Sequence, residues 1–310
     1  MSFFEQEFIS EIQNVYRDKS KNICIDLKRE DKIHPLISGN KFRKLKYNLE
    51  EAKNKNFDCV LTYGGAFSNH IIATAVACKI YGLKSIGVIR GEEIEEKLKN
   101  NPNHNPTLAK ANEEGMQLHF ISRNDYSKKD KAIDIEKLEN KFGDFYRIPE
   151  GGTNELAVKG CEEILNKEDE KYDIITCCVG TGGTISGIIN SSKKHQKLLG
   201  FSALKNHQHS EIKNYTNKNN YQIIEDEKFG GYAKTNEKLV KFINSFYCCT
   251  QIKLDPIYTG KMMYKLFEMI QLNQIPQNTS ILAIHSGGIQ CVEAFNNFQK
   301  SKNRMPIVFQ

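Results

Sequence analysis

The segment Ser38-Gly39-Asn40-Lys41-Phe42-Arg43-Lys44-Leu45 places a lysine between a Gly-Asn turn and the start of a helical pattern. An unprotonated lysine amine adds to a carbonyl to form an imine, which calls for a rigid base and surroundings that lower the ammonium pKa. Lys41 is therefore a candidate Schiff-base lysine. Residue type alone would leave it a solvated side chain at a helix start, one of 44 lysines and arginines. Two further segments decide between these readings.

Asp58 to Tyr63 reads as a strand, Gly64-Gly65-Ala66-Phe67-Ser68-Asn69-His70 as a tight turn, and Ile71 to Cys78 as a helix. Ser68 is expected at the N-cap, its hydroxyl occupying a backbone N–H, and the helix start suits a carboxylate. An ordinary strand-to-helix connection would look the same. Tyr172 to Val179 reads as a buried strand entering Gly180-Thr181-Gly182-Gly183-Thr184, followed by a helical pattern. Glycines allow successive N–H groups to converge on an oxyanion, the threonines add hydroxyls, and the helix dipole supports negative charge. No Gly-Lys-Ser follows, and Ile185 takes the third glycine position of a dinucleotide fingerprint, so the loop reads either as a cup for a phosphate on something other than a nucleotide or as a structural glycine turn. An imine-forming lysine, a carboxylate turn and a phosphate cup together call for a phosphorylated aldehyde that handles amino acids. Pyridoxal 5'-phosphate meets all three requirements.

The chain also resembles the fold type II pyridoxal phosphate enzymes, and within them the 1-aminocyclopropane-1-carboxylate deaminase and D-cysteine desulfhydrase family. The resemblance runs, in the family's order, through the three segments above, Asn105-Pro106-Thr107-Leu108, Pro149 to Asn154, Asp255-Pro256-Ile257-Tyr258-Thr259-Gly260-Lys261 and His285-Ser286-Gly287-Gly288. It implies two open, mostly parallel α/β domains with the cofactor between them: a small one over 46–149 and a large one from 1–45 with 150–310. It implies that Lys41 carries the cofactor and moves the Cα proton, that Ser68 and His70 grip the substrate carboxylate, and that Asn69 meets the cofactor's phenolic oxygen. Gly180, Thr181, Gly182, Gly183 and Thr184 would hold the phosphate. Tyr258 and Tyr232 would be catalytic tyrosines, although either could be a core aromatic.

Thr259 and Ser286 are the candidates for the pyridine nitrogen, whose partner sets the strength of the electron sink. Both are typically Thr in the desulfhydrase branch, against Glu and Leu in the deaminase branch. The implied reaction is elimination of sulfide from D-cysteine or a related D-amino acid, with cyclopropane ring opening as the alternative. A non-catalytic binding protein is a third reading, against which the presence of Lys41 speaks.

The elements that must position these residues alternate along the chain. Nine strand-like runs, from Ile23 to Leu27 through Ser280 to Ile284, interleave with helical patterns, as parallel α/β sheets require. Residues 91–105 and 207–220 read as polar surface connections. A length of 310 residues suits two domains, and 39% hydrophobic with 26% charged residues suits a globular protein. No apolar stretch is long enough to cross a bilayer, so no membrane partner and a cytoplasmic location are expected. The net charge of +6 raises nucleic acid as a partner, but the lysines are scattered among 38 acidic residues, and none is expected. A small amino-acid substrate and a homodimer are the expected partners. The nine cysteines lack any C-x-x-C pair and read as reduced, buried thiols. His195, His207 and His209 show no cysteine or carboxylate at ligand spacing, so no metal is expected.

Overall fold

Runs of branched apolar residues ending in glycine build two sheets whose strand ends face one another. The computed structural model describes residues 8–37, 39–101, 104–204, 207–225, 227–231 and 233–309. Its strands are β1 (Ile12–Asp18), β2 (Ile23–Lys28), β3 (Cys59–Gly64), β4 (Lys84–Arg90), β5 (Met116–Ile121), β6 (Tyr146–Ile148), β7 (Ile174–Val179), β8 (Lys197–Ser202), β9 (Tyr221–Ile224) and β10 (Ser280–Ile284). Its helices are α1 (Asn40–Asn54), α2 (Asn69–Tyr81), α3 (Glu93–Asn100), α4 (Pro106–Glu113), α5 (Arg123–Tyr126), α6 (Ala132–Phe142), α7 (Glu155–Glu162), α8 (Gly183–Ser191), α9 (Glu237–Thr250), α10 (Thr259–Gln271) and α11 (Cys291–Ser301).

One sheet has the order β1-β2-β10-β7-β8-β9 and the other β5-β4-β3-β6. Every pairing is parallel except β1 with β2. Every residue of β7 is buried, as expected of a strand covered on both faces by helices. The four-stranded sheet is wholly parallel and the six-stranded one parallel except at β1, as the expected pair of mostly parallel α/β sheets requires. Parallel α/β sheets bind ligands beyond the carboxyl ends of their strands, and the loops after β3, β6, β7 and β10 all line one cleft.

Helix α1 is the element that both sheets share. Arg43 makes a two-pronged ion pair with buried Glu30, with Nε to Oε2 at 2.9 Å and Nη2 to Oε1 at 3.1 Å. Lys46 ties α1 to Glu163 at the end of α7 at 2.9 Å. Gly160 lets the two helices touch, since a Cβ there would lie 1.9 Å from the Arg43 carbonyl oxygen. At its start, Gly39 has φ 60° and ψ −132°, and a Cβ on it would meet the Ser286 carbonyl oxygen at 2.1 Å. The lysine helix can therefore dock on the end of β10 only through a glycine.

The structure departs from the sequence reading in several places. The segment 91–105 contains α3, whose Ile94 and Leu98 pack on the core beside β4 while Glu95 and Lys99 pair on the outside at 2.8 Å. Strand β1 was not expected, and within 207–220 the residues Ser210–Asn214 form a 3₁₀ turn. All nine cysteines are free thiols, but Cys248 and Cys249 are exposed on α9. Among the described residues no helix is long and apolar enough to cross a membrane.

Gly39→Ala is predicted to lose cofactor retention and to unfold at lower denaturant, because the backbone strain alone costs about 1–3 kcal/mol before the clash with Ser286 is added. A Gly39→Ala protein with parental stability and cofactor content would contradict the docking argument.

Candidate active site

A cleft of about 720 Å³ opens where the strand ends meet. Lys41, in the first turn of α1, stands half-buried on its wall. Burial is the main cause that pulls its pKa down from 10.5 to about 7, and repulsion from Lys44 adds to it. Lys44 lies one turn further along α1, is itself buried, and is pulled down to about 8. It donates to the Gly151 carbonyl at 3.0 Å and to Thr153 Oγ1 at 2.9 Å. Cys161 sits beside both lysines as a neutral thiol, since burial pushes its pKa up to about 11. The sequence reading quoted Lys44 without giving it a role. The signal it missed is spacing, because residues i and i+3 share a helix face.

The glycine loop leads directly into α8, with Gly182 in the left-handed region at φ 79°. The first N–H groups of a helix have no carbonyl ahead of them to bind, so those from Gly182 onward are available to an anion. Gly180, Thr181, Gly182 and Thr184 line the cleft; Gly183 supports them from behind, packed near Thr153 and the Lys44 amine. Asn40 Nδ2 donates to Thr184 Oγ1 at 2.7 Å, which joins the lysine turn to this loop.

Ser68 occupies the N-cap position of α2, but its hydroxyl makes no capping bond. The expected cap is thus absent, and the hydroxyl faces the cleft with the first N–H groups of α2 beside it. Asn69 also lines the cleft, and its buried Oδ1 has no hydrogen-bond partner. His70 is buried, with Nε2 2.8 Å from Thr62 Oγ1, while Thr62 donates to the Ile148 carbonyl at 2.9 Å. His70 Nε2 therefore carries the proton, and Nδ1, also without a partner, is a bare lone pair. Burial, then Lys41 and Lys44, hold the His70 pKa well below the usual value. A neutral imidazole presenting a lone pair does not grip a carboxylate, so of His70 only the backbone N–H suits the expected role.

Ser286 and Tyr258 line the cleft, Tyr258 with its ring close to Gly180. Thr259 does not. Its hydroxyl donates to Asp255 Oδ2 at 2.6 Å and accepts the Asp255 N–H at 2.9 Å, so it closes the Asp255 loop and leaves nothing for a ligand. Tyr232 lies outside the described residues.

The pyridoxal-phosphate dependent enzyme family matches this chain over residues 13–287. The chain belongs to that family. A Thermotoga maritima protein named putative 1-aminocyclopropane-1-carboxylate deaminase is 32% identical over 289 residues, covering 86% of this chain and 88% of its own. An Arabidopsis thaliana mitochondrial protein, named bifunctional D-cysteine desulfhydrase/1-aminocyclopropane-1-carboxylate deaminase, is 31% identical over 85% of this chain and 72% of its own. The crystal structure of an ACC deaminase homologue superposes with a TM-score of 0.76 at 25% identity, covering 95% and 94% of the two chains. This pyridoxal phosphate-dependent enzyme thus falls in the deaminase and desulfhydrase family.

The residues present fit the cofactor. A depressed lysine suits its aldehyde, the glycine loop with Lys44 beside it suits its phosphate, and the orphaned Asn69 Oδ1, an acceptor, suits a hydrogen-bond donor on the bound group. When bound, pyridoxal phosphate supplies an electron sink for a pair released at the substrate Cα.

Since only the free amine reacts, covalent capture of pyridoxal phosphate by the stripped protein is predicted to rise with pH through an inflection at about 7. A stopped-flow absorbance series checks this. An inflection near the ordinary lysine value of about 10.4 would contradict it.

Proposed function

We propose that this enzyme is a lyase that releases sulfide from D-cysteine, or an equivalent leaving group from the Cβ of a related D-amino acid. The observation that carries the reading is the cleft's supply of hydroxyl groups without a free carboxylate. Ser286 offers a hydroxyl, and among the described cleft-lining residues the sole carboxylate, Glu150, pairs with Lys129 at 3.2 Å. A hydroxyl donating to a neutral ring nitrogen makes a weaker sink than a carboxylate that keeps the nitrogen protonated. A weak sink suits loss of a good leaving group; opening a cyclopropane that has no Cα proton needs a stronger one.

In this reading the Ser68 hydroxyl and the first N–H groups of α2 hold the substrate carboxylate. Lys41, its pKa lowered to about 7, takes the Cα proton as the free amine. The Cβ–S bond breaks with its pair leaving on sulfur, which departs as hydrogen sulfide. Water then converts the released enamine to pyruvate and ammonia. In the same reading Tyr258, which lines the cleft by Gly180, assists the leaving group. The second reading, cyclopropane ring-opening deamination, draws support from the name of the Thermotoga maritima relative.

The holoenzyme should be assayed with D-cysteine, L-cysteine and 1-aminocyclopropane-1-carboxylate, reading sulfide and 2-oxo acid. D-Cysteine is predicted to be the best substrate, with pyruvate and sulfide formed in equal amounts. Faster turnover of the cyclopropane would establish the second reading, and no turnover of any of the three would remove the lyase reading.

A further inference from the structure

The short polar segment after β8 brings two imidazoles and a carboxylate together. His207 Nε2 lies 2.9 Å from Glu211 Oε1, and His209 Nδ1 lies 3.4 Å from the same oxygen. The ligand atoms of all three lie within 4.8 Å of one another. A tetrahedral ion bound at 2.0–2.1 Å holds neighbouring ligand atoms about 3.3 Å apart, and the two histidine-to-glutamate separations, 2.9 and 3.4 Å, lie on either side of that distance. The sequence reading found no carboxylate at ligand spacing; Glu211, two residues beyond His209, supplies one. His195 takes no part, since it bonds the Glu170 carbonyl.

A second observation points to a ligand. His209 is 3% exposed, and its Nδ1 has no hydrogen-bond partner. Ser202 Oγ donates to the Leu204 carbonyl at 2.9 Å and accepts the Leu204 N–H at 3.1 Å. It can then only accept from His209 Nε2, at 2.7 Å, which fixes the proton on Nε2 and leaves Nδ1 as a lone pair. That lone pair faces a carboxylate oxygen. Two acceptors at 3.4 Å repel unless a cation lies between them. Ser202 also stands where the N–H partner of a metal-bound histidine stands.

We infer that His207, His209 and Glu211 form a site for a divalent transition ion of the zinc type, with a fourth position open to water. Two imidazoles and one carboxylate suit zinc or cobalt and do not suit calcium or magnesium, which take oxygen shells. The site abuts the phosphate loop. The Glu211 side chain and Ile212 pack where a Cβ on Gly182 would lie, at 3.5 and 3.1 Å. An ion held there braces Gly182 from the side of Glu211 and Ile212.

Cobalt titration of the holoenzyme tests the site, in a Cys248→Ser, Cys249→Ser background that removes the exposed thiols. One cobalt ion per chain should bind with the visible bands of a four-coordinate nitrogen and oxygen shell. Zinc should displace it, and magnesium and calcium should not. His207→Ala and Glu211→Gln alter exposed or half-buried side chains and should weaken binding at least about tenfold while their metal-free circular dichroism matches the parent. No binding, binding with thiolate bands, or equal affinity in both variants would overturn the site. Desulfhydrase activity has no bearing on this outcome.

Discussion

The backbone of Gly39 lies so close to the Ser286 carbonyl that no side chain fits between them. That contact sets the first turn of α1 against the end of β10, and the Asn40 amide fastens the same turn to Thr184 of the glycine loop. Loops from both sheets then meet around one helix start. Lys41 is rigid because its neighbours on either side are fixed, and it is depressed because the docked helix buries it next to Lys44. The chemistry expected of the cleft depends on that single close approach.

The electrostatics follow from the same packing. Two lysines on one helix face, a neutral His70 and a protonated Cys161 form a buried group from which an anionic partner is missing. Among the described residues Lys44 is held by two neutral oxygens. A phosphate at the start of α8 supplies charge where this group lacks it. The start of α2 adds two unpartnered buried atoms, Asn69 Oδ1 and His70 Nδ1. Stored polar capacity of this kind marks a site built for a ligand, since buried polar groups elsewhere are normally satisfied.

Much of this was legible in the sequence where a residue type has one physical use. Buried parallel strands ending in glycine announce themselves by continuous apolar runs, as β3 and β7 do, and a glycine run before a helix has few uses besides holding an anion. The edge strand β1 was hidden because its residues are half exposed and its pairing breaks register between Asn14 and Tyr16. Helix α3 was hidden by charge, with only Ile94 and Leu98 facing inward. At the site, sequence order places Thr259 next to Tyr258 but cannot reveal that the Asp255 carboxylate captures its hydroxyl. Nor can it show that the Thr62 hydroxyl fixes the proton of His70, or that Ser68 leaves its cap position unbonded. Those are choices among competing hydrogen-bond partners, and folding alone makes them.

The identity of the cofactor lysine is the claim on which the rest stands. Three lysines, Lys41, Lys44 and Lys46, lie within six residues of α1; Lys41 has a depressed amine on the cleft wall, whereas Lys44 is bonded to Thr153 and Lys46 to Glu163. Borohydride reduction of the pyridoxal phosphate-loaded protein, followed by digestion and peptide sequencing by mass spectrometry, locates the attachment directly. The account predicts one modified residue, Lys41. Attachment at Lys44 or Lys46, or reduction that leaves every peptide of α1 unmodified, would contradict it.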